Sequence, residues 1–465
     1  MTPSSLTDTI CAISTPIGEG GIGIVRLSGP QSIRLVSALF HGSGKTDLLD
    51  VPSHSIHHGI LSDPETGEAV DEVLVSVMRS PKTFTREDTV EINAHGSPTV
   101  LYRILTLVLA RGCRLAEPGE FTKRAFLNGR LDLTAAEAVM DLIQAKTDAS
   151  SRAALRRLQG GLGREIRSLR DKLSDLLALA EANIDFPEED VDSYPRSEST
   201  EALRAVIGRI TRLLDSSEEG RMLREGLRTV IVGRPNAGKS SLLNALLEQD
   251  RAIVTPIPGT TRDVLEAVLN IQGIPIRIMD TAGLRETGDL IEKEGMRRTL
   301  AAVEESDLLL IVMDGQAGMA AFEESFVNNQ LGKKKIILII NKIDIAPEAA
   351  GPIMARLEKP VAAIPLSAKQ GDGLDALRDA LGKIARSNHD AEADGPLVAH
   401  VRHATALEAA KGHLEEAIIA LNSGYSEDLI AVDLRGALDR LGEIIGETTT
   451  EEILGRIFQS FCIGK

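Results

Sequence analysis

Cysteine is scarce in this chain: Cys11, Cys113 and Cys462 are all there is, and no two of them stand at a metal-ligand spacing. So odd and sparse a set argues against a disulfide framework and fits a reducing cytoplasm. Long apolar runs are missing as well. No stretch is long enough to span a bilayer, and Met1 to Ile10 lacks the basic start and apolar core of a secretory leader, so a soluble, cytoplasmic protein is expected. Positive charge is in short supply, with 52 Lys and Arg against 68 Asp and Glu and a net charge of −16. Phosphate backbones need clustered cations, so a free-standing nucleic-acid binder is disfavoured and any RNA substrate is expected to be presented by a partner. Core-forming material is plentiful, since 43% of the residues are hydrophobic, and a length of 465 residues suggests about three domains.

The most informative stretch runs from Gly233 to Ser240 (Gly-Arg-Pro-Asn-Ala-Gly-Lys-Ser), after the β-branched run Thr229-Val230-Ile231-Val232 and before an amphipathic helix. It fits G-x-x-x-x-G-K-[ST] in the strand-loop-helix setting that motif needs. Glycines let backbone N–H groups turn around a phosphate, the helix start adds its positive end, Lys239 reaches β- and γ-oxygens, and the Ser240 hydroxyl can hold Mg²⁺. Asn236, Ala237, Gly238 and Ser241 complete this phosphate-binding set.

Further motifs make the site specific for guanine. Asp280-Thr281-Ala282-Gly283 follows the apolar segment Ile274 to Met279, which places Asp280 at a strand end, able to hold Mg²⁺ through water, with the Gly283 N–H toward the γ-phosphate. Asn341-Lys342-Ile343-Asp344 follows Ile336 to Ile340. A carboxylate at Asp344 accepts from the ring N–H and amine of guanine, a donor pair that adenine does not offer. Ser367-Ala368-Lys369 closes the set, with the Ala368 N–H a candidate donor to the guanine carbonyl.

Around this centre the chain reads as three parts. Thr9 to Ile13, Ile22 to Leu27, Ser55 to Leu61, Glu72 to Met78 and Thr89 to Ala94 read as strands, with helices near Gln31 to Phe40 and Thr99 to Ala110, giving an N-terminal α+β domain over 1–128. Within it, Gly18 to Gly23 matches a dinucleotide fingerprint but leads into a strand, and Gly42 to Thr46 follows a helix, so both read as plain loops. Leucines at helical spacing then mark a long helix or pair from Leu155 to Ile184. Phe186 to Asp192 forms an acidic turn, and a further helix runs from Ser199 to about Leu214. Helical spacing resumes at Leu407 to Leu421 and Leu434 to Ile445, and Thr448 with Glu451 reads as a capping box for a last helix. The economical arrangement is one discontinuous helical-bundle domain, 129–226 and 387–465, into which a Ras-like P-loop GTPase domain, 227–386, is inserted. The fold class is multidomain α/β plus α.

Several segments together resemble the MnmE (TrmE) family of tRNA modification GTPases. They are the phosphate loop through Ser241, Gly259-Thr260-Thr261-Arg262-Asp263, Asp280 to Arg285, Pro118 to Thr122, Ala125 to Arg130, and Phe461-Cys462-Ile463-Gly464-Lys465. The resemblance covers essentially the whole chain. It implies a homodimer working with the FAD-dependent protein MnmG to install a carboxymethylaminomethyl or aminomethyl group at carbon five of the wobble uridine of certain tRNAs. A tetrahydrofolate derivative, 5-formyl- or 5,10-methylene-tetrahydrofolate, is the implied one-carbon source, and tRNA is expected to be held mainly through the partner.

Leu284 stands where many small GTPases carry the Gln that orients the attacking water. Glu286, Glu292 and Glu294 are the carboxylates of the following loop, and the residues alone do not choose among them; the resemblance implies Glu292. It also implies a K⁺ ion held by Asn236 and by the loop residues Thr255, Ile257 and Thr260, with Thr261 joining Ser240 around Mg²⁺. By the same resemblance two GTPase domains meet face to face, and Arg26, Glu91, Arg130 and Lys465 bind the folate, with a possible role for Cys462 beside them. Two other readings compete: a ribosome-assembly GTPase, and a regulatory GTP switch whose N-terminal domain only dimerises. Neither predicts folate binding.

Overall fold

The computed structural model describes residues 8–44, 47–185, 196–250, 266–280, 300–357, 362–385 and 395–465. They fall into two compact units, the first made of Met1–Met140, Arg157–Ile207 and Ala406–Lys465, the second of Asp141–Arg156 and Gly208–Thr405.

The first unit contains a seven-stranded sheet. Strands β1 (Ile10–Ile13), β2 (Gly20–Ser28), β3 (Phe40–Gly42), β4 (Ser55–Ser62), β5 (Ala69–Met78), β6 (Thr89–Gly96) and β7 (Arg114–Leu115) stand in the order β3-β4-β5-β6-β2-β1-β7. Neighbours are antiparallel except β1 and β7. Val73, Val75 and Val77 alternate onto the same buried face as Val90, Ile92, Val25 and Leu27, because successive side chains of a strand point to opposite sides. Helix α2 (Pro98–Ala110) brings Leu101, Ile104 and Val108 into that core. Leu101 packs where β2 has no side chain: a Cβ at Gly23 would lie 2.5 Å from Leu101 Cδ1.

Helix α1 (Ser32–Ser37) is shorter than the Gln31 to Phe40 expected from sequence. The Leu39 N–H donates to Val36 O in a tight turn, and Phe40 then pairs with Leu61 as the start of β3. The Gly18 to Gly23 run leads into β2, a strand, as its sequence suggested.

The two leucine-rich sets meet in this unit. Helix α6 (Gly161–Asp185) packs along α14 (Glu427–Ile445), with Leu162, Leu169 and Leu173 buried on the first and Leu434 and Leu441 on the second. Leu155, which falls in the second unit, is exposed, contrary to its place in the helical pattern, because Ala153 and Ala154 take the inward side of α5 (Asp148–Leu158). The last helix, α15 (Glu451–Gln459), is capped by Thr450 and not by Thr448. The Thr450 hydroxyl accepts from the Ile453 N–H at 3.4 Å, while the Thr448 hydroxyl donates to Asp439 O at 2.8 Å. Phe458 and Phe461 seat this end of the chain against Leu133, Ala136 and Met140 of α4 (Leu133–Gln144).

The second unit carries strands β8 (Leu227–Val232), β9 (Glu266–Ile271), β10 (Ile274–Asp280), β11 (Leu308–Asp314), β12 (Lys335–Asn341) and β13 (Ala362–Leu366), ordered β13-β12-β11-β8-β10-β9. All neighbours run parallel except β9 and β10. Its inner strands are almost continuously apolar because both faces are covered. Ile231, Ile276, Leu310 and Ile337 share one core with α9 (Lys239–Asp250) and α12 (Leu374–Ala385). Val230, Leu309, Ile311 and Leu338 share the other with α10 (Ala321–Gln330) and α11 (Ala350–Met354). Strand order departs from β8 in both directions, to β10 and to β11, so the carboxyl end of β8 is the switch point where ligands bind in open sheets of this kind. No described helix is long and apolar enough to cross a membrane.

Candidate functional site

The chain leaves β8 at Val232 and enters α9 at Lys239, and the turn between them admits no side chain at either glycine. A Cβ on Gly233 would collide with Val312 O, and one on Gly238, whose φ is +96°, with Asn341 Nδ2. Asn236 takes a left-handed φ of 63° and is exposed, while Ala237 is buried beneath it. Lys239 Nζ donates to Gly233 O and Arg234 O, both at 2.9 Å, so the ammonium is folded into the loop's own curve. Arg234 points away and anchors the loop to α10 through Glu323 at 2.9 Å. Ser240 and Ser241 are exposed in the first turn of α9, the end of a helix that favours an anion.

Asn341, at the end of β12, ties two loops together. Its Nδ2 donates to Ala237 O at 2.9 Å, and its Oδ1 accepts from the Ala368 N–H at 3.0 Å. The Ala368 N–H, expected to face the guanine carbonyl, is therefore engaged by Asn341. Asp344 is exposed, and its Oδ1 accepts from the buried Ser367 hydroxyl at 2.8 Å, which fixes the carboxylate's direction. Lys369 is exposed beside them. Lys342 sits at a φ of 66° and donates from Nζ to Asp314 Oδ2 at 2.6 Å. Burial works against the charge on Asp314, but the hydrogen bond and charge of Lys342 outweigh it and hold the carboxyl below its ordinary value. Asp314 was not among the sequence candidates. The signal that could have found it is a carboxylate closing the buried run Leu308 to Met313, in register with Asn341.

Asp280 ends β10, paired with Ile231 of β8 and so beside the phosphate loop. Thr255, Ile257, Thr260, Thr261, Thr281, Ala282, Gly283, Glu286, Glu292 and Glu294 lie outside the described residues, as do the acidic turn at 186–192 and the side chain of Asp280. Among the described residues no group of three or more His, Cys, Asp or Glu is placed to hold a metal ion. For Mg²⁺ and K⁺ the described part of the donor set is the Ser240 hydroxyl and the exposed Asn236 amide, hard oxygens that suit both ions.

A second cluster forms in the first unit. Arg26 of β2 faces Glu91 of β6 in register, with Nε to Oε1 at 2.8 Å and Nη2 to Oε1 at 2.7 Å. Arg26 Nη1 also donates to Gly464 O at 3.3 Å, and the Ser14 hydroxyl donates to the same oxygen at 3.2 Å. Lys465 is half-buried. Burial, and then the positive charge of Arg26, push its pKa below the ordinary value, while Glu91 and Cys462 pull the other way. Cys462 is exposed, unlike Cys11 and Cys113. Arg130 is held separately: it donates to Thr83 O at 2.9 Å and lies 4.9 Å from the centroid of Phe84. Arg26 lies 5.8 Å from the Phe121 centroid, and both rings belong to one small cluster with Ile10, Ala12 and Ala116. Cations beside a carboxylate suit a ligand with both an anionic tail and ring N–H donors, the chemistry of a folate. Ser14 was missed from the sequence, and no local signal marks it.

Comparison with known proteins bears on both clusters. The family model described as the GTP-binding protein TrmE N-terminus matches residues 9–130. The one described as the MnmE helical domain matches residues 133–462, a span that takes in the nucleotide-binding sheet and the helices on either side of it in sequence. Proteins named tRNA modification GTPase MnmE are similar over nearly the whole length. That of Moorella thermoacetica is 49% identical over 99% of this chain and 100% of its own. That of Thermoanaerobacter pseudethanolicus is 48% identical over 98% and 99%, and that of Lactobacillus acidophilus 45% identical over 98% of each. A phosphate loop locked to a guanine-type loop in one unit, and a matched N-terminal sheet in the other, agree with those likenesses, and the chain belongs to the MnmE (TrmE) family of tRNA modification GTPases.

Proposed function

We propose that this chain is the GTP-hydrolysing component of the system that installs carboxymethylaminomethyl or aminomethyl groups on the wobble uridine of tRNA, acting as a cytoplasmic homodimer with MnmG. The observation that carries the reading is Asn341, which fastens the phosphate loop to the loop of Ser367 and Ala368 and sets Asp344 beside them. The near-full-length likeness to proteins named tRNA modification GTPase supports the substrate class.

In this reading Lys239 exchanges the carbonyls of Gly233 and Arg234 for β- and γ-phosphate oxygens, a charge-assisted gain over its resting contacts. Asp344, oriented by Ser367, accepts from the ring N–H and amine of guanine, and Asn341 keeps the base and phosphate loops in register. Ser240, Thr261 and, through water, Asp280 would hold Mg²⁺; Asn236, Thr255, Ile257 and Thr260 would hold K⁺. Both ions would supply positive charge to offset the negative charge that develops on the phosphate oxygens. With Leu284 unable to orient water, Glu292 takes that role. Arg26, Glu91, Arg130 and Lys465 bind the tetrahydrofolate derivative, and GTP hydrolysis drives the conformational change that coordinates modification.

The test is the GTPase rate in KCl against NaCl at equal ionic strength, across protein concentrations. A rate that rises with K⁺ and with concentration is expected; equal rates in both salts would remove the K⁺ site and the face-to-face dimer. The substrate is checked in cells, where a deletion strain should lack the modified wobble uridine, and tRNA that keeps it would refute the modification role.

A further inference from the structure

The segment Phe461 to Lys465 is pinned within its own unit at several points. Phe461 is buried, and the Gly119 N–H donates to Cys462 O at 3.4 Å. Gly119 itself has a φ of +68°, and a Cβ there would stand 2.8 Å from Phe458 O. The next anchor is tighter. Gly464 is buried with a φ of +96°, and a Cβ on it would lie 2.5 Å from Ile13 O. Its carbonyl accepts from two donors, the Ser14 hydroxyl at 3.2 Å and Arg26 Nη1 at 3.3 Å. Ser14 is in turn fixed by its own N–H, which donates to Ile24 O at 2.8 Å, so its hydroxyl is held by the β1–β2 hairpin.

We propose that Ser14 is a positioning residue: its hydroxyl and the Gly464 carbonyl form a latch that seats residues 462–465 so that Lys465 stands beside the Arg26–Glu91 pair, with Cys462 on the same seated segment. The latch rests on the folate reading for its consequence but not for its existence. Arg26 alone is a weak clamp, because the same guanidinium is engaged by Glu91 and a ligand carboxylate would compete for it. Ser14 carries no charge and faces no such competition. It can hold Gly464 while Arg26 turns toward a bound anion. The close approach of Gly464 to the Ile13 carbonyl then explains why a residue without a side chain stands there: any Cβ would lift the segment off the strand and carry Lys465 with it.

The test uses the full-length protein and two readouts. Cys11 and Cys113 are buried and Cys462 is exposed, so a maleimide applied under native conditions reports on Cys462. Ser14→Ala should change the Cys462 labelling rate several-fold and weaken binding of 5-formyltetrahydrofolate by about tenfold, the order expected for one lost hydrogen bond. Ser14→Thr, which keeps the hydroxyl, should restore both, an outcome that a general packing role for Ser14 would not produce. Gly464→Ala should exceed Ser14→Ala in both readouts. Labelling and binding that are both unchanged in Ser14→Ala would overturn the latch. A wild-type protein that does not bind the folate would overturn the folate reading alone, and the labelling rates would still decide the latch.

Discussion

Lys239 closes the phosphate loop on a carbonyl six residues away, whereas Arg26 meets a carbonyl 438 residues away. The nucleotide loops hang from the carboxyl ends of buried parallel strands, and their shape follows from local backbone: positive φ at Asn236, Gly238 and Lys342, and the first turn of α9. The second cluster has no local shape of its own. Strand register sets Arg26 opposite Glu91, and a distant segment delivers Gly464 and Lys465. A site built from contiguous turns depends on single side chains for specificity; one assembled from distant segments depends on whatever holds those segments together.

The largest effect should come from breaking the support of the assembled site. Arg124 is 1% exposed and holds Asp8, Glu87 and Glu120 around one guanidinium. Arg124→Ala leaves those carboxylates without their central cation and should cost about 3–5 kcal/mol of stability. Thermal or urea unfolding of the full chain measures it, and an unchanged midpoint would show that the first unit does not depend on this network.

Specificity in the contiguous site should give a somewhat smaller effect. Asp344→Asn loses an acceptor for two guanine donors and should weaken GTP binding by about 10- to 100-fold, the range for hydrogen bonds to a charged group. The same variant should gain affinity for xanthosine triphosphate, whose ring offers an acceptor where guanine offers the amine. Titration with both nucleotides decides it, and a loss for GTP with no gain for the xanthine nucleotide would show that Asp344 shapes the loop without reading the base.

Acid provides the finest discrimination. Burial opposes the charges of Asp8 and Glu120, but hydrogen bonds from Arg114 and Arg124 prevail and hold both carboxyls below their ordinary values of 3.8 and 4.5. Depressed folded-state values mean that the stabilisation is present above the unfolded values and is lost as pH falls through the folded ones. The stability gap between wild type and Arg124→Ala should therefore be full near neutrality and narrow below about pH 4.5. A gap that stays constant into acid would mean that packing of the Arg124 stem, and not its charge, carries the effect.

Helix and strand periodicity made most elements readable: the alternation of Val73, Val75 and Val77, and the unbroken apolar run of Ile336 to Ile340, each state how many faces of the strand are covered. The misses share a cause. Thr448 and Glu451 satisfy a capping pattern, yet Thr450 caps the helix because the Thr448 hydroxyl is drawn to the carbonyl of Asp439. Phe40 fits the end of a helix but leaves it to pair with Leu61. Leu155 fits an apolar stripe that α5 does not bury. In each case the outcome was set by which groups pair or face inward in the folded chain, which the local pattern does not state.

The turn from β8 into α9 was legible in the amino-acid sequence, because glycine placement and strand-loop-helix order are local properties. Only folding brings the Asn341 side chain between Ala237 and Ala368, Asp314 to Lys342, and Ser14 to Gly464. Those contacts depend on which strands lie side by side and in what register, and a hydroxyl or carboxylate looks the same in a sequence whether its partner is water or a carbonyl hundreds of residues away.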